Sequence, residues 1–175
     1  MTDFALPRHD TRTLIIMRHA EADWGLDDFN RPLTRRGHEQ APRAGAWLLE
    51  HGFVPEMMVS SAALRTRQTT TWVSEALGEK APTASLDERL YNAPASQLMT
   101  TINRTPAGVH SLMVIAHLPG VQDAALQLAS PDSDYEALMD ASYGYAPSSL
   151  AVFEVPGDWD ELVDGEARLT HFATF

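Results

Sequence analysis

Thr13-Leu14-Ile15-Ile16-Met17-Arg18-His19-Ala20 is a short apolar run that stops abruptly at an arginine and a histidine. Its length and its Leu and Ile content predict a buried β-strand rather than a helix. A cation and a titratable ring are costly to bury without partners, so they belong at the strand's open carboxyl end. In an open α/β sheet that end is where ligands bind.

Outward from this strand the chain alternates between the two periodicities. After a polar, turn-rich stretch from Glu21 to Arg31, Pro32-Leu33-Thr34 leads into a helical pattern through Ala41, Ala44, Trp47 and Leu48, with Thr34 as N-cap. Pro42 inside it predicts a kink or a division, and Gly52 a stop. Met57-Met58-Val59 reads as a second buried strand. Ser60 and Ser61 read as N-caps for a helix from about 62 to 77, closed by Gly78. The stretch from Gly78 to Pro94 is irregular, with a short strand near 84–86, and a helix follows from Gln97 to Asn103. Leu112-Met113-Val114-Ile115 is a third buried strand ending in Ala116-His117, and Pro119-Gly120 starts a helix through Leu128. Residues 130–147 read as loop with a helical patch near 135–139. Leu150 to Val155 is a fourth strand, and Arg168 to Thr174 an edge strand that pairs back on it. The pattern predicts an α/β fold, a three-layer α/β/α sandwich with a mostly parallel central sheet and a C-terminal antiparallel hairpin at its edge. With no repeat or linker in view, one domain is expected over residues 1–175, with 1–12 as an N-terminal extension.

Composition narrows the function. The 175 residues contain no cysteine, which excludes disulfides, thiolate catalysis and zinc–thiolate sites and fits a reducing compartment. No secretory signal or run long enough to span a membrane is visible, so the expected location is cytoplasmic. A formal net charge of −11 argues against nucleic acid as a partner. It does not argue against a phosphate site. Exposed charges beyond about 8 Å are screened, whereas a cation ~4 Å from a phosphate at an effective dielectric of ~20 contributes on the order of 4 kcal/mol.

Three strand ends carry chemistry. The first ends in Arg18-His19, the second is followed by Arg65 at the start of its helix, and the third ends in His117. Parallel strands share a carboxyl edge, so these four side chains can meet in one cleft. Helix N-termini there add free N–H groups and a positive dipole end. Two arginines and two histidines suit the charge that develops in phosphoryl transfer. The His38-Glu39-Gln40 stretch lacks the second histidine of a zinc helix, and no nucleotide-binding glycine loop occurs, so neither metal nor cofactor is expected. His9, His38, His51, His110 and His171 read as surface or structural.

The segments L-I-I-M-R-H-A, P-L-T-R-R-G-H-E-Q-A, S-S-A-A-L-R-T-R-Q-T and V-I-A-H-L-P-G-V resemble the successive motifs of the histidine phosphatase superfamily, the phosphoglycerate mutase-like group. The likeness is nearest to its small SixA-type phosphohistidine phosphatases. Trp159 to Leu162 and Gly165 to Leu169 resemble that subgroup's closing hairpin. Ala20 stands where the family usually has glycine, and Ala62 where many relatives have proline. The resemblance implies a metal-independent phosphatase in which His19 becomes phosphorylated, Arg18 and Arg65 clamp the phosphoryl group and His117 contacts its oxygens. Glu88 falls where many relatives carry a glutamate that protonates a leaving alkoxide. Asp23 and Arg31, in the loop after the first strand, are further candidates for touching substrate. The implied substrate is phosphohistidine on a protein, since little sequence between Arg65 and His117 is free to cap the cleft. The alternatives are a small phosphomonoester (or, further off, mutase chemistry) and a non-catalytic phosphate-binding module. Oligomeric state is not legible.

Overall fold

A computed structural model describes residues 11–25 and 27–175. Arg12–Arg18 forms β1, Met57–Ser61 β2, Ser85–Asp87 β3, Ser111–Ala116 β4, Leu150–Val155 β5 and Arg168–Ala173 β6. The helices are α1 (Arg35–Glu50), α2 (Leu64–Leu77), α3 (Ala95–Asn103), α4 (Gly120–Leu128) and α5 (Tyr135–Tyr143). The sheet order is β3-β2-β4-β1-β5-β6. The first four strands in that order run parallel, while β5 is antiparallel to β1 and β6 antiparallel to β5.

The alternation in β1 builds the layers. Leu14 and Ile16 pack with Leu98, Ile102, Val121 and Leu128 of α3 and α4 on one face. Ile15 and Met17 pack with Ala44, Leu48, Val73 and Leu77 of α1 and α2 on the other. Side chains of successive strand residues point to opposite faces, so a run apolar at every position must be covered on both sides. The expected three-layer α/β/α sandwich with its antiparallel pair at one edge is thus borne out.

Several local expectations need correction. The strand starts at Arg12, which cannot belong to an extension: it is buried, donates to Gly157 O (2.5 Å) and Ala107 O (2.9 Å), and pairs with Asp158 at 2.8 Å. Residues 1–10 of the supposed extension, His9 among them, lie outside the described residues. Helix α1 runs undivided through Pro42. Its buried face (Ala41, Ala44 and Leu48) packs in two hydrophobic clusters, and that burial offsets the roughly 3 kcal/mol cost of an internal proline. Ser60 and Ser61 are not helix caps, because both extend β2, pairing with Leu86 and Asp87 of β3. The N-cap position of α2 falls to Ala63, without a side-chain cap. The patch near 135–139 is a full helix, α5, capped by the Asp134 carboxylate, which accepts from Ala137 N–H.

Candidate active site

The parallel strands bring the chemistry to one edge. Arg18 ends β1 and His19 follows it; Arg65 is the second residue of α2; His117 follows β4. All four line one cleft of about 370 Å³, together with Glu21, Ala22, Trp24, Asp28, Arg31, Asn92, Leu118 and Pro147. The His19 and His117 rings lie with centroids 5.3 Å apart. Two glycines allow the walls to close in: a Cβ on Gly37 would sit 2.1 Å from Glu21 O, and one on Gly120 2.1 Å from Ala93 O. The start of α1 is therefore pressed against the loop after β1, and the start of α4 against the segment carrying Tyr91 and Asn92.

Hydrogen bonds fix the imidazoles. His19 Nδ1 lies 2.7 Å from Ala20 O. A carbonyl only accepts, so Nδ1 carries the proton and Nε2 keeps the lone pair. His117 Nε2 lies 2.7 Å from Ser61 Oγ, and its Nδ1 has no protein partner among the described residues. The Ala20 methyl is fully buried, and Ala20 N–H donates to Thr69 Oγ1 at 3.0 Å, so this backbone takes alanine without conflict.

Burial, reinforced by Arg65, Arg18 and Arg31, pushes His19 down to about 3 despite the opposing bond to Ala20 O. Burial, then His19 and Arg65, pushes His117 down to about 3 as well. Both rings are therefore neutral at physiological pH. Burial and the nearby Arg65 also lower Arg18, whose guanidinium donates to Tyr145 O at 2.9 Å.

Asp28 is the functional residue that the sequence did not single out. Arg65, only 3% exposed, donates to Asp28 O (2.7 Å) and to Asp28 Oδ2 (3.3 Å). The same carboxylate accepts from the Tyr91 hydroxyl, from Arg31 (3.2 Å) and from Asn92 (3.5 Å). The Tyr91 hydroxyl, then Arg31, Arg65 and Asn92, hold it well below the usual carboxylate range. Its only sequence signal is its place in an acidic stretch before Arg31, directly after Asp27 and five residues beyond Asp23, and such a stretch does not say which acid reaches Arg65. Tyr91 and Asn92, in a stretch that reads as irregular, carried no signal.

Glu88 is not brought to the cleft. It is exposed, opens a 3₁₀ turn (Glu88–Leu90) after β3, and lines a separate cavity of about 540 Å³ beside β3 and α3. The chain turns there so that Asn92 reaches the cleft instead. Arg89 pairs with Asp87 at 3.0 Å rather than with Glu88. Arg31 does line the cleft, while Asp23 stands outside its lining and accepts from Arg31 Nε through its backbone oxygen at 2.7 Å. Among the described residues no cluster of metal-ligating side chains occurs, and no helix is long and apolar enough to cross a membrane.

The sequence and fold that carry this cleft resemble those of known proteins. The family model of the histidine phosphatase superfamily, branch 1, matches residues 14–107. The chain belongs to the histidine phosphatase superfamily. An uncharacterized protein of Mycobacterium tuberculosis is 35% identical to this phosphatase over 159 residues, 89% of this chain and 98% of the other. Among solved structures, a candidate phosphohistidine phosphatase SixA from Nakamurella multipartitia superposes with a TM-score of 0.82 at 28% identity, covering 93% of this chain and 95% of that one. A 2,3-bisphosphoglycerate-dependent phosphoglycerate mutase of Bartonella tribocorum is 33% identical over a shorter stretch, 46% of this chain and 43% of the mutase. The protein is a phosphatase enzyme of this superfamily with SixA-like structural neighbours.

Proposed function

We propose that this phosphatase removes the phosphoryl group from phosphohistidine on a protein, through a covalent phosphohistidine at His19 Nε2. The observation that carries the reading is the bond from His19 Nδ1 to Ala20 O, which leaves Nε2 unprotonated in a cleft lined by Arg18 and Arg65. In the first step the P–N bond to His19 forms as the P–N bond to the substrate imidazole breaks, and the leaving imidazole departs neutral with a proton from solvent. Water then adds to the phosphoryl group of His19, releasing orthophosphate and restoring the neutral ring, with the displaced proton returned to solvent. Arg18 and Arg65 stabilise the equatorial oxygens in both steps. Ser61 Oγ accepts from Ala63 N–H at 3.3 Å, so its own O–H is free to donate to His117 Nε2. The His117 proton then stays on Nδ1 to meet a phosphoryl oxygen.

The leaving group favours phosphohistidine over an ester. An alkoxide needs a proton donor, and the carboxyls at hand are poor ones. Asp28 is held ionised, Glu21 is engaged by Thr34 (3.0 Å) and Arg36 (3.7 Å), and Glu88 lies outside the cleft. An imidazole leaves without such help. The segment between α2 and β4 is spent on β3 and α3, which complete the sheet and its cover, and leaves no large cap over the mouth. The test is acid-resolved labelling with a ³²P-phosphorylated histidine-containing domain. The wild-type chain should become labelled with base-stable, acid-labile phosphate and release orthophosphate, and His19→Ala should do neither while keeping its circular dichroism. Label retained in His19→Ala would remove the assignment.

A further inference from the structure

A large apolar side chain stands unburied at the mouth of the cleft. Trp24 is 85% exposed, yet it is held rather than loose. Its backbone N–H donates to Asp23 Oδ1 (2.8 Å), the Arg31 guanidinium lies 4.5 Å from its ring centroid, and Arg31 is itself tied to Asp23 O at 2.7 Å. The bridge between Ala22 and Leu33 closes the base of this loop. Leu118, 38% exposed, lines the same cleft from the His117 side. An exposed tryptophan braced by an arginine and sharing a cleft with a second exposed apolar side chain has the composition of a binding hot spot, where Trp is enriched.

Besides Arg31, the chain around the indole carries two carboxylates, opposite in sign to the arginines on the floor. Asp23 and Asp27 are exposed and in no ion pair among the described residues. Their carboxylates only cap nearby groups: Asp23 the N–H of Trp24, and Asp27 the N–H of Phe29 (3.2 Å) and the Asn30 amide (2.5 Å). A free phosphate anion near the cleft is repelled by these carboxylates, and it is too small to cover Trp24. A protein that presents its phosphoryl group among cations meets attraction instead.

We propose that Trp24 and Leu118 form a docking lip for a protein whose phosphohistidine sits in an apolar patch flanked by basic side chains, and that Asp23 and Asp27 select it against small phosphate anions. This deepens, and rests on, the phosphohistidine-protein reading above. The experiment measures kcat/KM for a phosphorylated histidine-containing domain with lysines beside its phosphohistidine, and for the phosphoramidate anion, at low and at high salt. Trp24→Ala should lower the protein-to-phosphoramidate ratio at least tenfold. Asp23→Asn with Asp27→Asn removes both charges and keeps an acceptor for the backbone N–H groups of Trp24 and Phe29, giving up only the Asn30 amide contact. It should lower the protein value several-fold and raise the phosphoramidate value, with both changes shrinking at high salt. A ratio unmoved in both variants, or two substrates falling together, overturns the lip. A wild-type chain that hydrolyses phosphoramidate but not the phosphoprotein overturns instead the reading beneath it.

Discussion

At the scale of single residues, the chemistry depends on keeping two imidazoles uncharged next to two guanidinium groups. His19 and His117 sit near 3 because burial denies the charged form its water and Arg65 repels it. An exposed histidine would begin to protonate near its ordinary ~6.5 and lose its lone pair. The expected kcat/KM profile, corrected for the substrate's own titration, is therefore flat from pH 8 to about 5, because His19 begins to protonate only near 3. A nucleophile limb centred near 6.5 would contradict the burial-driven neutrality. The residue identities were legible in the sequence, since Arg18-His19 and Ala116-His117 each follow an unmistakable apolar strand. The partners were not. Ser61 reads as a helix cap and turns out to bond His117. Asp28 is one of several acids in a turn, and only the folded loop directs it to Arg65 and Tyr91.

At the scale of elements, the walls of the cleft depend on close backbone approach. A methyl on Gly120 would lie 2.1 Å from Ala93 O and 3.3 Å from Ala93 C, backbone atoms that cannot swing aside as the end of a side chain would. Gly120→Ala should thus cost at least the ~1–3 kcal/mol of an overpacked core. Thermal unfolding should show a drop of several degrees, since ~1 kcal/mol shifts a domain of this size by about 2–4 °C. Turnover should fall with it as the Tyr91–Asn92 wall is displaced. Gly108 has nothing within 4 Å of an added Cβ, so Gly108→Ala should stay within about 0.5 kcal/mol of wild type; equal effects from both substitutions would contradict the close-approach account. Element types were largely readable, because strands such as Leu112 to Ile115 are apolar at every position. Boundaries were less so. Residues Ser60 and Ser61 follow cap chemistry locally, but pairing with β3 and β4 keeps them in the strand, and α1 passes Pro42 because packing on both sides outweighs one missing bond.

At the scale of the whole molecule, buried neutral histidines make stability fall with acid. Their folded-state values lie below the ~6.5 of an unfolded chain, so above that pH neither state binds the proton and the full stability is present. Below it the unfolded chain gains protons that the folded one refuses until about 3. Each ring then costs up to about 1.4 kcal/mol per pH unit. Urea unfolding should show stability declining between pH 6.5 and 4, and His19→Ala should remove roughly half of that slope; a variant with the wild-type slope would place the effect elsewhere. The sequence by itself determined the sheet, its two-sided burial and the four residues at its edge. These follow from local apolar periodicity and from the rule that parallel strands share an edge. Only the tertiary structure decided that Glu88 faces a different cavity, that Asp28 holds Arg65 and that Trp24 stands at the mouth. Those outcomes depend on which way a loop turns once distant segments pack against it, and neighbouring residues in the chain carry no record of that contact.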